Sequence, residues 1–390
     1  MVSFNPEHLE AEARRRSGLQ DVGPADYAEP FAILAESYDR EAPFSEAGRA
    51  AAVERMVGAL VDRLTLNDWF RRHPEIAAEQ IDAPVVIAGL PRTGTTLLYR
   101  MLSAAEGFAA PLHYEAAEPA PAEDWDFRPE TDARIPTAEA SVAAMFRAMP
   151  DLGAIYPFEA LGPEESIFLY GPSLRSTREQ SFALVPSYDR WFATADKRPA
   201  YDYLRRVTQF LQWQRRRSGR FAPGDRWLLK TPDHLHGFDA LLAVFPDARI
   251  IQTHRDPVQT IPSICSFIRV LHSPHTARDD SVDIGQAWSA MFAASMQRAM
   301  DIRARHPGSF LDVWYRDTVA EPRKVAEQVF AFAGRPLTET GWSEMQKWRD
   351  ANQREARPAH HYALADFGLT ETRIKDLFAG YRERFILPTL

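Results

Sequence analysis

The stretch 83–103, APVVIAGLPRTGTTLLYRMLS, constrains this chain more than any other part of it. Residues 84–88 are a short apolar run rich in β-branched side chains, the pattern of a strand buried on both faces of a parallel sheet. Gly89 to Gly94 reads as a tight loop, and from Thr95 the spacing turns helical, with Leu97, Leu98, Met101 and Leu102 on one face. A strand entering a helix through such a loop points backbone N–H groups and a helix N-terminus at one spot, which favours an anion there. The triphosphate version of this cradle is G-x-x-x-x-G-K-[ST]. Here Gly89, Gly94 and Thr96 hold the glycine and hydroxyl positions, but Thr95 stands where the lysine belongs. Arg92 supplies a cation from inside the loop instead. An ATP·Mg enzyme would also place an Asp at the end of a second buried strand, whereas 249–253 runs into His254 and Arg255. The loop suits a phosphate-like anion held without a metal.

The run Pro91-Arg92-Thr93-Gly94-Thr95-Thr96-Leu97 resembles the P-[KR]-[ST]-G-T-T-x-L loop of the sulfotransferases that use 3′-phosphoadenylyl sulfate (PAPS), where it binds the 5′-phosphosulfate. Three later runs extend the resemblance in chain order. Lys230-Thr231-Pro232-Asp233-His234-Leu235 looks like K-[ST]-P-x-H-L, whose lysine contacts the bridging or sulfuryl oxygens. His254-Arg255-Asp256-Pro257, with Ser263 further on, is similar to the R-[DN]-P-x-x-x-x-x-S segment that binds the 3′-phosphate. Trp314-Tyr315-Arg316-Asp317 and the helical stretch after it resemble the family's Y-E-D segment, whose tyrosine lies against the adenine; Arg316 replaces the acidic residue. Other departures stand beside these. His234 comes later after its lysine than the base histidine of the cytosolic branch, and Leu97 replaces that branch's adenine-stacking tryptophan. The R-K-G triplet that closes over the 3′-phosphate is absent, and the resemblance leaves Arg357, assisted by His361, to do its job.

The rest of the chain sets bounds. With 390 residues, 45% of them hydrophobic, it can bury a large core. A formal charge of −8 argues against a nucleic-acid partner. One cysteine, Cys265, rules out an internal disulfide and fits a reducing compartment. The first residues lack a signal-peptide core, and no apolar run nears the ~18 residues of a membrane span. The expectation is a cytoplasmic protein without membrane insertion, its oligomeric state open and a homodimer included.

Along the chain, 1–80 reads as a helical cap packed on the sheet, 81–115 as the loop and a second strand, 116–225 as a helical acceptor or lid insertion, and 226–390 as the remaining core and closing segment. Strand, helix, strand, helix over 226–270 indicates parallel neighbours and puts Lys230 and Arg255 on the cradle's edge. The second strand, 109–113, ends at Glu115 on that same edge, making it a candidate base. Phe158, Phe168, Tyr170, Tyr188, Trp191 and Phe192 are candidates to line a pocket, though most such aromatics belong to cores. Arg215, Arg216 and Arg217 read as a solvated helix end.

The resemblance thus implies an α/β fold, a P-loop-type three-layer sandwich around a parallel sheet of about five strands, carried as one sulfotransferase domain. It implies a transfer from PAPS to a hydroxyl of a small, partly apolar acceptor, leaving 3′,5′-ADP, with no metal. In-line transfer needs cations for the charge that builds on the leaving oxygen and a base for the hydroxyl. Arg92, Lys230, Thr95 and Thr96 suit the first. Glu115 or His234 suits the second, and a reference pKa of about 6.5 rather than about 4.3 favours His234. Two other readings stay open: a P-loop kinase using ATP·Mg, and a nucleotide-binding module without catalysis.

Overall fold

The computed structural model describes residues 3–150, 152–156, 158–352 and 362–389. Its strands β1 (Val85–Gly89), β2 (Phe108–Ala109), β3 (Arg226–Lys230), β4 (Arg249–His254) and β5 (Phe310–Trp314) form a parallel sheet in the order β2-β3-β1-β4-β5. The apolar run of β1 follows from its central place, because successive side chains enter different cores. Val86 and Ala88 pack with Leu204, Leu229 and Ile250 on one face. Val85 and Ile87 pack with Leu98, Leu228, Ile251 and Val329 on the other. Helices cover both faces, giving three layers.

The winding reverses at β1, which has β3 on one side and β4 on the other. Such a switch point leaves a crevice at the carboxyl ends of the strands. Ile87 of β1 is in register with Lys230 and Gly89 with Thr253, so the loop after β1, the end of β3 and the residues after β4 open on the same crevice.

The helical N-terminal region departs from the expected cap on the sheet. The helices Ala28–Arg40 and Glu46–Arg72 build a core of their own, in which Phe31, Tyr38 and Leu60 pack with Val185, Tyr188 and Phe192 of the insertion. Leu66, Trp69 and the following Ile76 join the core under the sheet. The cap therefore meets the insertion first and the sheet second.

Several boundaries also differ from the sequence reading. Strand β2 covers two residues rather than five, because Pro111 lacks the N–H a longer strand would donate, and the helix His113–Ala117 begins at once. Glu115 is therefore a helix residue and not a strand end. Tyr315 likewise opens the helix Tyr315–Ala320. The helix Ser281–Arg305, with Ile284, Trp288, Phe292 and Met296 buried at intervals of four, packs against the helix Pro257–His272. Among the described residues, no helix is long and apolar enough to cross a membrane.

Candidate active site

The loop after β1 is built to expose backbone donors. Arg92 has φ 68° and Gly94 φ 85°, both in the left-handed region. For Arg92 this is a strained conformation, of the kind that persists where the surroundings enforce it. For Gly94 glycine is required twice over, because a Cβ there would also lie 2.6 Å from the Tyr315 ring. Gly94 is the N-cap of the helix Thr95–Ser103, and no side chain caps that helix. Its first N–H groups and the positive end of its dipole face the crevice.

Thr93 turns the other way. It is buried, its hydroxyl donates to Leu90 O at 2.6 Å and lies 2.6 Å from the Thr253 hydroxyl, and its N–H bonds Leu90 O. The Thr93 side chain thus ties the loop to β4.

Three cations meet around this loop from distant parts of the chain. Lys230, fully buried at the end of β3, donates from Nζ to Thr96 Oγ1 at 3.2 Å and to Glu165 Oε1 at 2.5 Å. The rings of Tyr99 and Tyr156 lie 5.6 and 5.4 Å from its ammonium. On the other side Arg92 Nε donates to Ser263 Oγ at 3.2 Å, and Arg255 Nη1 donates to the Arg92 carbonyl at 3.3 Å. The Arg255 guanidinium sits 4.5 Å from the centroid of the Tyr315 ring, which itself rests on Gly94. Asp256 caps the helix Pro257–His272 through Val258 N and holds Arg382 through two hydrogen bonds of 3.1 and 2.9 Å, tying the helix Ala379–Phe385 to this side of the crevice.

The two expected bases are both engaged within the protein. His234 is buried in the short turn Pro232–His236, its Nε2 2.9 Å from Ser166 Oγ and its Nδ1 3.1 Å from Tyr201 OH. Tyr170 and Tyr201 stack on it at 5.9 and 5.7 Å. Burial pushes its imidazole down to about 4, only partly opposed by Asp233. Both ring nitrogens have partners inside the protein, and burial favours the neutral imidazole.

Glu115 is equally committed. Its carboxylate is buried and receives Arg215 Nε at 3.0 Å, a second bond from Arg215 Nη2, and Leu112 N at 3.0 Å. Burial alone would raise its pKa; the charge and hydrogen bonds of Arg215 outweigh that and hold it below the usual carboxylate range. The same pair corrects the reading of Arg215, which is buried rather than solvated.

Beside Lys230 the structure places residues that no motif singled out. Glu165 precedes the helix Ser166–Tyr170, its side chain 15% exposed, with one carboxylate oxygen on Lys230. Its neighbour Glu164 is buried and receives Tyr156 OH at 2.8 Å and the Glu165 N–H at 2.7 Å, with His113 Nδ1 2.7 Å away. Phe158 and Phe168 lie against the edge of His113, at ring distances of 5.6 and 6.4 Å. Of the six aromatics offered as pocket lining these two are half-buried beside the site, whereas Tyr170, Tyr188 and Phe192 are core. The only sequence signal for Glu165 is a pair of acids set in an apolar stretch, LGPEESIFLY. Arg357 and His361 lie outside the described residues.

With this geometry in place, comparison with known proteins decides the family. A family profile described as "Sulfotransferase family" matches residues 84–339, which is most of the chain. The chain belongs to the sulfotransferase family. Among solved structures, sulfotransferase STF1 of Mycobacterium tuberculosis is similar at 29% identity and a TM-score of 0.84, over 97% of this chain and 99% of that one. Sulfotransferase STF9 of Mycobacterium avium is similar at 26% identity and a TM-score of 0.86, over 99% and 97%. A curated relative, the omega-hydroxy-beta-dihydromenaquinone-9 sulfotransferase Stf3 of Mycobacterium tuberculosis and Mycobacterium bovis, is 23% identical over 265 residues, or 65% of this sulfotransferase. The match spans 63% of that relative's length. The likeness to the two solved sulfotransferases covers the N-terminal cap and the 116–225 insertion as well as the sheet.

Proposed function

We propose that this chain transfers the sulfuryl group of PAPS to a hydroxyl of a small, partly apolar acceptor. The observation that carries the reading is the convergence of Arg92, Lys230 and Arg255 on one uncapped loop, beside a carboxylate that Lys230 holds. The residues fit such a donor. Loop N–H groups, Thr95, Thr96 and Lys230 suit a phosphosulfate, Arg255 and Ser263 suit a second phosphate, and Tyr315 offers a ring to a base. Arg92 stands between the two anion positions. Bound there, PAPS would supply an activated sulfuryl group and a nucleotide leaving group.

The chain's own part is electrostatic and acid–base. Lys230 is preorganised, held by Thr96 and walled by two tyrosines, so its charge acts in a dry setting. An anion on the loop competes with Glu165 for this ammonium. Each of the ammonium's protons then serves the anion or Thr96, and Glu165 is released next to the acceptor position as the base for the hydroxyl. Glu165 thus takes the role first assigned to His234 or Glu115. Phe158 and Phe168 of the insertion and His113 before it supply the acceptor wall. The relative named for a hydroxylated menaquinone supports an apolar acceptor body.

Mass spectrometry of reactions with PAPS and a panel of phenols, alkanols and hydroxylated isoprenoids tests the activity. Sulfated product from at least one class is expected, and Glu165→Gln is expected to lower kcat by about 10²–10⁴-fold with little change in the affinity for 3′,5′-ADP. A Glu165→Gln enzyme as fast as the parent removes this base. Calorimetry separates the kinase reading, since tighter binding of ATP·Mg than of 3′,5′-ADP would favour it. On the same instrument Arg255→Ala weakens 3′,5′-ADP by about 1.5–3 kcal/mol, the worth of a hydrogen bond to a charged group. Its affinity also becomes less sensitive to salt.

A further inference from the structure

The segment 160–164 pairs with 111–114: His113 N donates to Gly162 O at 2.9 Å, Tyr114 N to Ala160 O at 3.1 Å and Glu164 N to Pro111 O at 2.8 Å. Leu112 and Pro163 form an antiparallel bridge between them. This pairing brings the side chains of His113 and Glu164 together, with Nδ1 2.7 Å from Oε2. Phe158 and Phe168 stand edge-on to the imidazole at interplanar angles of 69° and 70°. The ring is thereby fixed in place and in rotation.

The hydrogen-bond inventory assigns its tautomer as well. Glu164 Oε1 accepts from Tyr156 OH and from Glu165 N, and among the described residues Oε2 has His113 alone. A carboxylate only accepts, so the proton lies on Nδ1 and the neutral ring keeps a lone pair on Nε2. Among the described residues Nε2 has no hydrogen-bond partner, and it is not closed off: the side chain is 12% exposed. The same carboxylate leads to the proposed base. Tyr156, whose hydroxyl it receives, has its ring 5.4 Å from Lys230 Nζ, and Glu165, whose N–H it receives, accepts from Lys230.

We propose that Nε2 of His113 selects the acceptor by taking a hydrogen bond from a second hydroxyl on it, so that the preferred acceptors are diols with an apolar body. One hydroxyl meets Glu165 and is sulfated; the other is held by His113. This rests on the acceptor position proposed above. Phenylalanine at 113 would complete the aromatic wall, whereas an oriented imidazole adds one lone pair to it. A ligand that displaces water from that lone pair without supplying a donor leaves it unpaired, and an ether or carbonyl oxygen there meets it lone pair to lone pair. His113 is on this reading a specificity residue, and Glu164 positions it.

The test titrates catechol, resorcinol and hydroquinone, each beside its monomethyl ether, into the full chain with 3′,5′-ADP present at about pH 8, with binding followed by NMR. At least one diol binds about five- to tenfold more tightly than its ether, and the isomer that does so reports the spacing of the two positions. His113→Phe levels that pair by weakening the diol. Glu164→Gln levels it in the opposite way. Two donors hold the amide oxygen on the Oε1 side, so its NH₂ group faces Nδ1, the ring proton moves to Nε2 and the ring donates. The ether then gains about five- to tenfold, while the diol, which accepts as well as donates, stays within about threefold. A purely structural Glu164 gives the ether no such gain. Equal binding of every diol and its ether in the parent, no saturable diol binding, a ratio untouched by His113→Phe, or an ether that gains nothing in a folded Glu164→Gln protein overturns the proposal. Should one variant fail to fold, the other decides. The titration needs no turnover: a diol preference without sulfated product strikes the transfer and keeps the role of His113, and sulfated product without a diol preference does the reverse.

Discussion

Lys230→Met lowers kcat by about 10²–10³-fold, the effect of removing one preorganised donor of ~3 kcal/mol from a developing charge. Methionine fills the same slot between Tyr99 and Tyr156 without the ammonium, so the fold is retained. On the proposed donor site the loss falls on kcat more than on the affinity for 3′,5′-ADP, because that product would lack the sulfuryl group and keep Arg92, Arg255 and the loop amides. Glu165, left without its cation, has enough exposure to hydrate. Single-turnover kinetics with PAPS, read beside ADP titrations, give both quantities. A variant within threefold of the parent in kcat would show that the loop and its arginines suffice, and the mechanism drawn around Lys230 would have to be given up.

The second large effect is on stability. Arg215→Met leaves the Glu115 carboxylate buried with only Arg220, 3.7 Å away, as a cation, and costs about 3–5 kcal/mol in urea unfolding. The sign of its pH dependence follows from the depressed pKa of Glu115. In the parent this group contributes stability above its unfolded value, about 4.3, and the contribution is lost as pH falls through the lower folded value. Without Arg215, burial raises the folded value. The group's contribution then grows as pH falls and is lost as pH rises, so the Glu115 part of the slope reverses sign above its unfolded value of about 4.3. The double variant Glu115→Leu with Arg215→Met recovers much of the loss, since two apolar residues leave no unpaired charge. Should Arg215→Met unfold at the parent's urea midpoint, the pair is not holding this corner together.

The legible parts of the fold are those where local pattern and tertiary demand agree. The β1 run, the glycine loop and the amphipathic helix after it are each set by neighbours in sequence, and strand, loop and helix fall at the expected residues. Lys230 and Arg255 are legible on the same edge because parallel crossovers leave little choice. The helix Ser281–Arg305 has a stripe of apolar residues every fourth position, yet no motif points to it. What was not legible depends on distant partners. Which of Arg215, Arg216 and Arg217 turns inward is decided by Glu115, a hundred residues earlier. Whether His234 faces a ligand or the core is decided by Ser166 and Tyr201. Glu165 lies in the insertion, whose path no periodicity reveals, and only folding brings it to Lys230.

The hold of Asp256 on Arg382 has a consequence for how the protein matures. Asp256 adjoins Arg255, the side chain proposed to grip the second phosphate, so the nucleotide side of the crevice is buttressed by a segment made more than a hundred residues later. A nascent chain still lacking its residues beyond 380 would carry the finished loop and all three cations without that brace. Under the proposed donor site, donor capture should therefore wait on the docking of the helix Ala379–Phe385, however early the loop itself folds.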